Sequence, residues 1–139
     1  MSLAFVDTNV LVHAADEATP IPEKTRQARD LLCHRGLHIS VQVLNEFTAN
    51  ARHPHKLNLS PSVEWEWVQR WLLFPIQPLT TDCYLLARLF HERYQVSHWD
   101  GLILAAAKVA NCEILYSEYW NTSQFYDQIQ VINPFDRPQ

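Results

Sequence analysis

Three carboxylates interrupt otherwise apolar stretches of this 139-residue chain. Asp7 follows Leu3-Ala4-Phe5-Val6, Glu46 lies within Val43-Leu44-Asn45-Glu46-Phe47, and Asp100 precedes Gly101-Leu102-Ile103. Each has an ordinary structural use: Asp7 as a turn or helix cap, Glu46 as a solvated helix residue, Asp100 as the acid of a Ser-x-x-Asp capping arrangement with Ser97. Unpaired carboxylates in apolar surroundings are costly, however, and few basic residues stand in the same segments. A divalent cation is the simplest partner, and an all-oxygen donor set suits Mg²⁺ or Mn²⁺. Such an ion acidifies a bound water and polarises a phosphoryl oxygen. Two ions roughly 4 Å apart also stabilise both the attacking and the leaving oxygens. Phosphodiester hydrolysis uses all three effects.

The elements around these acids are those that would bring them together. The apolar run before Asp7 has strand length and leads into a helix-compatible segment, so Asp7 is expected at the C-terminal end of a buried strand, where open α/β sheets bind ligands. Pro20 and Pro22 mark a loop. A helix is expected from Glu23, closing at Gly36 as its C-cap, followed by a very short strand at His38-Ile39. Ser40 caps the helix that carries Glu46, placing Glu46 at the border of the face formed by Val43, Leu44 and Phe47. Ser60-Pro61 opens a helix to about Leu73, with Val63, Trp67, Trp71 and Phe74 in a stripe widened by Trp65, Val68 and Leu72. That stripe suits a core, and its width leaves a dimer or partner surface open. After a loose strand between Pro75 and Pro78, Thr80 or Thr81 caps a helix to about Tyr94 that is expected to bury Leu85, Leu86, Leu89 and Phe90. Ser97 opens a nearly all-apolar helix from Leu102 to Ala110, with strands at Ile114-Leu115-Tyr116 and Ile129 to Ile132. Strands alternating with helical crossovers imply a mostly parallel sheet covered on both faces.

Bulk properties bound the reading. The length fits one domain. With only two glycines, Gly36 and Gly101, neither a dinucleotide fingerprint nor a Walker loop can be written. No basic lead-in or long apolar span occurs, so a cytoplasmic protein with no membrane segment is expected. Cys33, Cys83 and Cys112 lack zinc spacing and are expected to be buried, reduced thiols. A net charge of -4 supplies no bulk attraction to nucleic acid, although a bound cation and a local basic patch can reverse the sign of a cleft. Arg52 and Lys56, with His53 and His55, are the candidate RNA-binding patch, backed by Arg88 and Arg93; the alternative is a solvated turn. Trp99, Tyr119 and Trp120 are candidates for stacking on unpaired bases. A phosphoacceptor role for Asp7 is disfavoured, because no lysine ends the late strand.

Five runs taken in order resemble the PIN-domain family in its VapC-type toxin branch: Val6-Asp7-Thr8-Asn9-Val10-Leu11, Val43 to Phe47, Val96 to Ile103, Ile114-Leu115-Tyr116-Ser117-Glu118, and Val131-Ile132-Asn133-Pro134-Phe135. The resemblance covers essentially the whole chain. It implies a single domain over residues 1–139 with a three-layer α/β/α sandwich, and a Mg²⁺- or Mn²⁺-dependent endoribonuclease. It further implies the toxin of a type II toxin–antitoxin pair, often a homodimer, with a small antitoxin as partner. Its leading acidic ligands carry over onto Asp7, Glu46 and Asp100, with Thr8 and Ser117 as hydroxyls supporting them. The chain departs from the family at the fourth acid: Tyr119 stands where Asp is usual, leaving Glu118, or Asn121 through water, as the remaining donors. That departure makes a catalytically weakened PIN-like domain, acting by RNA or protein binding, the alternative expectation. Gly101 also departs from the usual Ala and suggests a close backbone approach.

Overall fold

The computed structural model describes residues 2–120 and 124–136. Strand β1 (Ala4–Val6) is buried throughout and passes through Asp7 into α1 (Thr8–Ala15). Helix α2 (Pro22–Leu31) starts on a proline, whose missing N–H costs nothing at a first helical position. It ends at Leu31 and not at Gly36, because the N–H groups of Cys33 and His34 tighten onto the carbonyls three residues back, Asp30 and Leu31. Gly36 instead takes the left-handed conformation, φ 77°, in the turn entering β2 (Leu37–Ser40). Cys33 falls in the intervening turn and is exposed, unlike the buried Cys83 and Cys112.

Helices α3 (Val41–Arg52), α4 (Pro61–Trp71), α5 (Thr81–Tyr94) and α6 (His98–Val109) share one initiation device. Ser40, Ser60, Thr80 and Ser97 accept hydrogen bonds from the backbone N–H groups of Val43, Val63, Cys83 and Asp100. Each such cap contributes about 1 kcal/mol. The remaining strands are β3 (Ile76–Gln77), β4 (Ile114–Tyr116), β5 (Phe125–Tyr126) and β6 (Ile129–Ile132). They form one sheet in the order β3-β2-β1-β4-β6-β5, parallel except for the short β5–β6 hairpin, which the sequence pattern does not announce. From β1 the chain steps outward through β2 to β3, then returns to place β4 on the other side of β1. Right-handed crossovers therefore put α1 to α4 on one face and α5 with α6 on the other. Phe5, Leu11, Ile39, Val43, Phe47, Leu104, Leu115 and Val131 form the sealed centre.

Two helices present faces other than those expected. In α5, Cys83, Ala87 and Phe90 turn inward while Leu85 and Leu89 are 58% and 53% exposed. The cause lies in α6: a Cβ at Gly101 would stand 2.7 Å from the Ala87 carbonyl oxygen, so the small residues meet and pull the backbones together. Leucines on that line would hold them apart. In α4, Trp67, Val68 and Trp71 are buried, but Trp65 and Leu72 are half exposed. No helix among the described residues is long and apolar enough to cross a membrane.

Candidate active site

The site begins where the strand order reverses. Strands β1 and β4 are parallel neighbours with Val6 opposite Tyr116, so the next residues, Asp7 and Ser117, emerge side by side at the C-terminal sheet edge. Ser117 Oγ donates to Asp7 Oδ2 at 2.8 Å, and the Thr8 N–H donates to Oδ1 at 2.7 Å. Trp120 Nε1 also donates to Oδ2, at 3.3 Å. Asn9 locks the two strand ends together: its amide donates to Ser117 Oγ at 3.0 Å, and its Oδ1 accepts from the Glu118 N–H at 3.1 Å.

Helix α3 brings the second acid. Thr8 Oγ1 donates to Glu46 Oε1 at 2.7 Å, which joins the start of α1 to α3. Gln42 Nε2 donates to Glu46 Oε2 at 3.1 Å. Asp100 arrives from the first turn of α6, where its backbone N–H is held by Ser97 Oγ at 3.1 Å and its side chain remains solvent-accessible. Asp7, Thr8, Glu46 and Asp100 share the wall of one cavity, of ≈ 450 Å³, with His13, Asn50, Tyr119 and Trp120. The supporting roles expected for Thr8 and Ser117 thus correspond to direct hydrogen bonds to Glu46 and Asp7. Trp120 as an Asp7 donor, Asn9 as a strand clamp and Gln42 as a Glu46 partner were not anticipated. Only Asn9 had a sequence signal, its place in the Asp7-Thr8-Asn9 turn.

The electrostatics are unbalanced. Burial pushes the Asp7 carboxyl up to about 6, and the charge of Glu46 adds to this against the opposing hydrogen bonds from Ser117, Thr8 and Trp120. Burial also raises Asp100, again with a contribution from Glu46, while Ser97 opposes it. The three acids surround a common space without closing on one another. Among the described residues, no three His, Cys, Asp or Glu side chains are gathered tightly enough to hold an ion outright.

The fourth position is occupied differently. Glu118 Oε1 lies 3.0 Å from His13 Nε2 and its Oε2 accepts from Lys24 Nζ, so both carboxylate oxygens are engaged. Burial would raise its pKa, but the hydrogen bonds from Lys24 and His13 outweigh this and hold the carboxyl below its usual range. Tyr119 is 78% exposed at the rim of the cavity. Asn121 lies outside the described residues. The basic candidates stand apart from the cavity: Arg52 pairs with the buried carboxylate of Glu64 at 2.8 Å, and Lys56 is exposed in the turn after α3. In that turn the His55 N–H donates to His53 Nδ1. Arg88 pairs with Glu92, and Arg93 with Asp127.

The PIN-domain family model matches residues 4–118, which includes Asp7, Glu46, Asp100 and both strand ends of the site. The chain belongs to the PIN-domain family. No curated protein matches it at the sequence level. Among solved structures, this PIN domain is similar to a toxin–antitoxin complex from Klebsiella pneumoniae, with TM-score 0.70 and 22% identity over 96% of this chain and 99% of that one. It is also similar to VapC20 of Mycobacterium tuberculosis, described as a sarcin–ricin loop cleaving toxin, with TM-score 0.66 and 16% identity over 82% and 88% of the two chains. A third similarity is to DNA-bound VapBC from Salmonella typhimurium, with TM-score 0.66 and 14% identity over 94% and 97%. Identities this low speak to the fold alone.

Proposed function

We propose that this PIN domain is a Mg²⁺- or Mn²⁺-dependent endoribonuclease, the toxin of a toxin–antitoxin pair. The observation that carries the proposal is the charge imbalance of the cavity. Three carboxylates from the end of β1, α3 and α6 line it, Asp7 is buried among neutral donors, and among the described residues no Lys or Arg stands in its wall. The donor set fits a hard divalent cation, with Asp7, Glu46 and Asp100 as the residues that would hold it. When bound, such an ion supplies an acidified water and Lewis-acid polarisation of the scissile phosphate. The chain's own contribution is orientation. Ser117, Trp120 and the Thr8 N–H fix Asp7, Thr8 Oγ1 fixes Glu46, and Asp100 faces the same cavity from an exposed helix start.

The second reading, a weakened PIN domain that acts by binding RNA or protein, draws on the fourth position. With Glu118 committed to Lys24 and His13 and Tyr119 in the usual place of Asp, the described residues supply three acids and no fourth. The enzyme reading then takes one ion per chain. Tyr119 at the cavity rim and Trp99, 64% exposed beside Asp100, suit stacking on unpaired bases. The exposed apolar row Tyr84, Leu85 and Leu89 on α5 suits a second copy of the chain, and a small antitoxin is the partner suggested by the similarity to toxin–antitoxin complexes. A location in the cytoplasm accompanies that reading. The test is cleavage of single-stranded RNA with Mn²⁺ by wild type and Asp7→Asn. Loss of cleavage in the variant supports the enzyme; equal cleavage by both, or RNA binding without cleavage by either, supports the alternative.

A further inference from the structure

One buried side chain joins two of the acid-bearing helices without lining the cavity. Gln42 is 6% exposed and lies one helical turn before Glu46 on α3. Its Nε2 donates twice: to Glu46 Oε2 at 3.1 Å and to the Trp99 carbonyl at 3.2 Å, in the residue immediately before Asp100 on α6. A single amide thus spans from the helix that carries Glu46 to the turn that carries Asp100. The orientation is forced, since the reversed amide would set its oxygen against a carboxylate and a carbonyl, both acceptors. The consequence is that Gln42 Oε1 is buried with no hydrogen-bond partner among the described residues.

An unpaired buried carbonyl is unfavourable for folding. An apolar residue of the same size would avoid that penalty but would also leave Glu46 Oε2 and the Trp99 carbonyl without this donor, so the gain and the loss are of similar size. What the amide provides and a methionine cannot is a donor edge. It holds the second oxygen of Glu46, while Thr8 holds the first, and it fixes the separation of α3 from the first turn of α6.

We infer that Gln42 is a positioning residue for the metal centre, setting the orientation of Glu46 and the distance between Glu46 and Asp100. The inference rests on the metal-dependent reading above. Partners of this kind behind a ligand typically tune metal affinity by about 10–100-fold.

The test is Mn²⁺ binding by isothermal titration and by electron paramagnetic resonance, with thermal unfolding of the metal-free protein alongside. The proteins are wild type, Gln42→Met, Glu46→Gln, the double variant and Asp7→Asn. The expected result is that Gln42→Met leaves the metal-free melting temperature nearly unchanged, because removal of the partnerless oxygen offsets loss of the two donated hydrogen bonds, yet weakens Mn²⁺ binding about tenfold. In the double variant the two losses should not add, since both act through the same carboxylate. Wild-type affinity in Gln42→Met, with Asp7→Asn deficient, overturns the role of Gln42 and leaves the metal centre standing. A drop in melting temperature with additive losses also overturns it, by making Gln42 a packing residue. Equal Mn²⁺ binding by wild type and Asp7→Asn, or none by wild type, overturns the metal reading and this inference with it.

Discussion

Two aspartates of this molecule, Asp7 buried and Asp127 partly exposed, both at strand ends, have been driven in opposite directions. Asp127 sits in the β5–β6 turn at φ 53° with its side chain 15% exposed, and Asp7 ends β1 at 8%. Burial would raise both carboxyls. At Asp127 it is overcome by hydrogen bonds from Lys108 at 2.6 Å, from the Tyr94 hydroxyl at 2.7 Å and from Arg93, which bring the carboxyl down to about 2. At Asp7 the donors are a hydroxyl, an indole and a backbone N–H, all neutral, and the carboxyl rises to about 6. The first is a charge already matched by the fold, tying the hairpin to α5 and α6. The second is a charge the fold orients but does not neutralise, which is the condition expected of a cation ligand.

The largest effect that follows is on catalysis. Asp7→Asn should lower Mn²⁺-dependent RNA cleavage by roughly 10²-fold or more, whereas Asp127→Asn should leave turnover at neutral pH unchanged in the protein that remains folded. Single-turnover cleavage of a labelled oligoribonucleotide measures both, and equal losses in the two variants would erase the distinction.

The same pair predicts opposite pH profiles of stability. For Asp7, the folded-state pKa lies above the unfolded value of 3.8, so its contribution is fully present below that pH and is lost as pH rises through about 6. Metal-free Asp7→Asn should therefore be more stable than wild type at neutral pH, by up to about 3 kcal/mol. Saturating Mn²⁺ should reverse that order by stabilising wild type alone. For Asp127, the folded-state pKa lies below 3.8, so its contribution is present above that pH and is lost as pH falls through about 2. Asp127→Asn should cost about 1–2 kcal/mol at neutral pH, a modest figure because Arg93 and Lys108 are about half exposed and solvent screens them. Its deficit should vanish in acid. Urea titrations across pH give both slopes.

Much of the fold and part of the candidate site are legible in the sequence, and the division has a physical basis. A strand ending in Asp7, the four Ser and Thr caps, and the place of Asp100 three residues after Ser97 are local in sequence, governed by backbone donors within one turn. What escaped was non-local. Whether Leu85 or Ala87 faces inward was decided by Gly101 on another helix. That Glu118 would be paired depended on His13 and Lys24, on helices far earlier in the chain. Arg52 looked like a free surface cation until α4 placed Glu64 against it. The β5 strand is two residues long and has one exposed residue, too little pattern to register.

Helix α6 connects the two aspartates, carrying Asp100 to the acid cavity from its first turn and Lys108 to Asp127 from its last. Gly101 gives a way to disturb one end without the other. A methyl group there would stand 2.7 Å from the Ala87 carbonyl oxygen and 3.3 Å from its carbon, both backbone atoms that cannot rotate away. Gly101→Ala should gain about 1 kcal/mol in helix propensity and lose about 1–3 kcal/mol to overpacking, for a small net destabilisation. The first turn of α6 would have to move off α5, carrying Asp100 and the Trp99 carbonyl with it and stretching the Gln42 bridge. Weakened Mn²⁺ binding should then accompany a melting temperature lowered by no more than several degrees. At the far end of α6, the Asp127 carboxyl should still titrate near its wild-type value by nuclear magnetic resonance. If that value moved as well, α6 would be transmitting the strain along its length, and the matched and unmatched charges would form one coupled system instead of two separate ones.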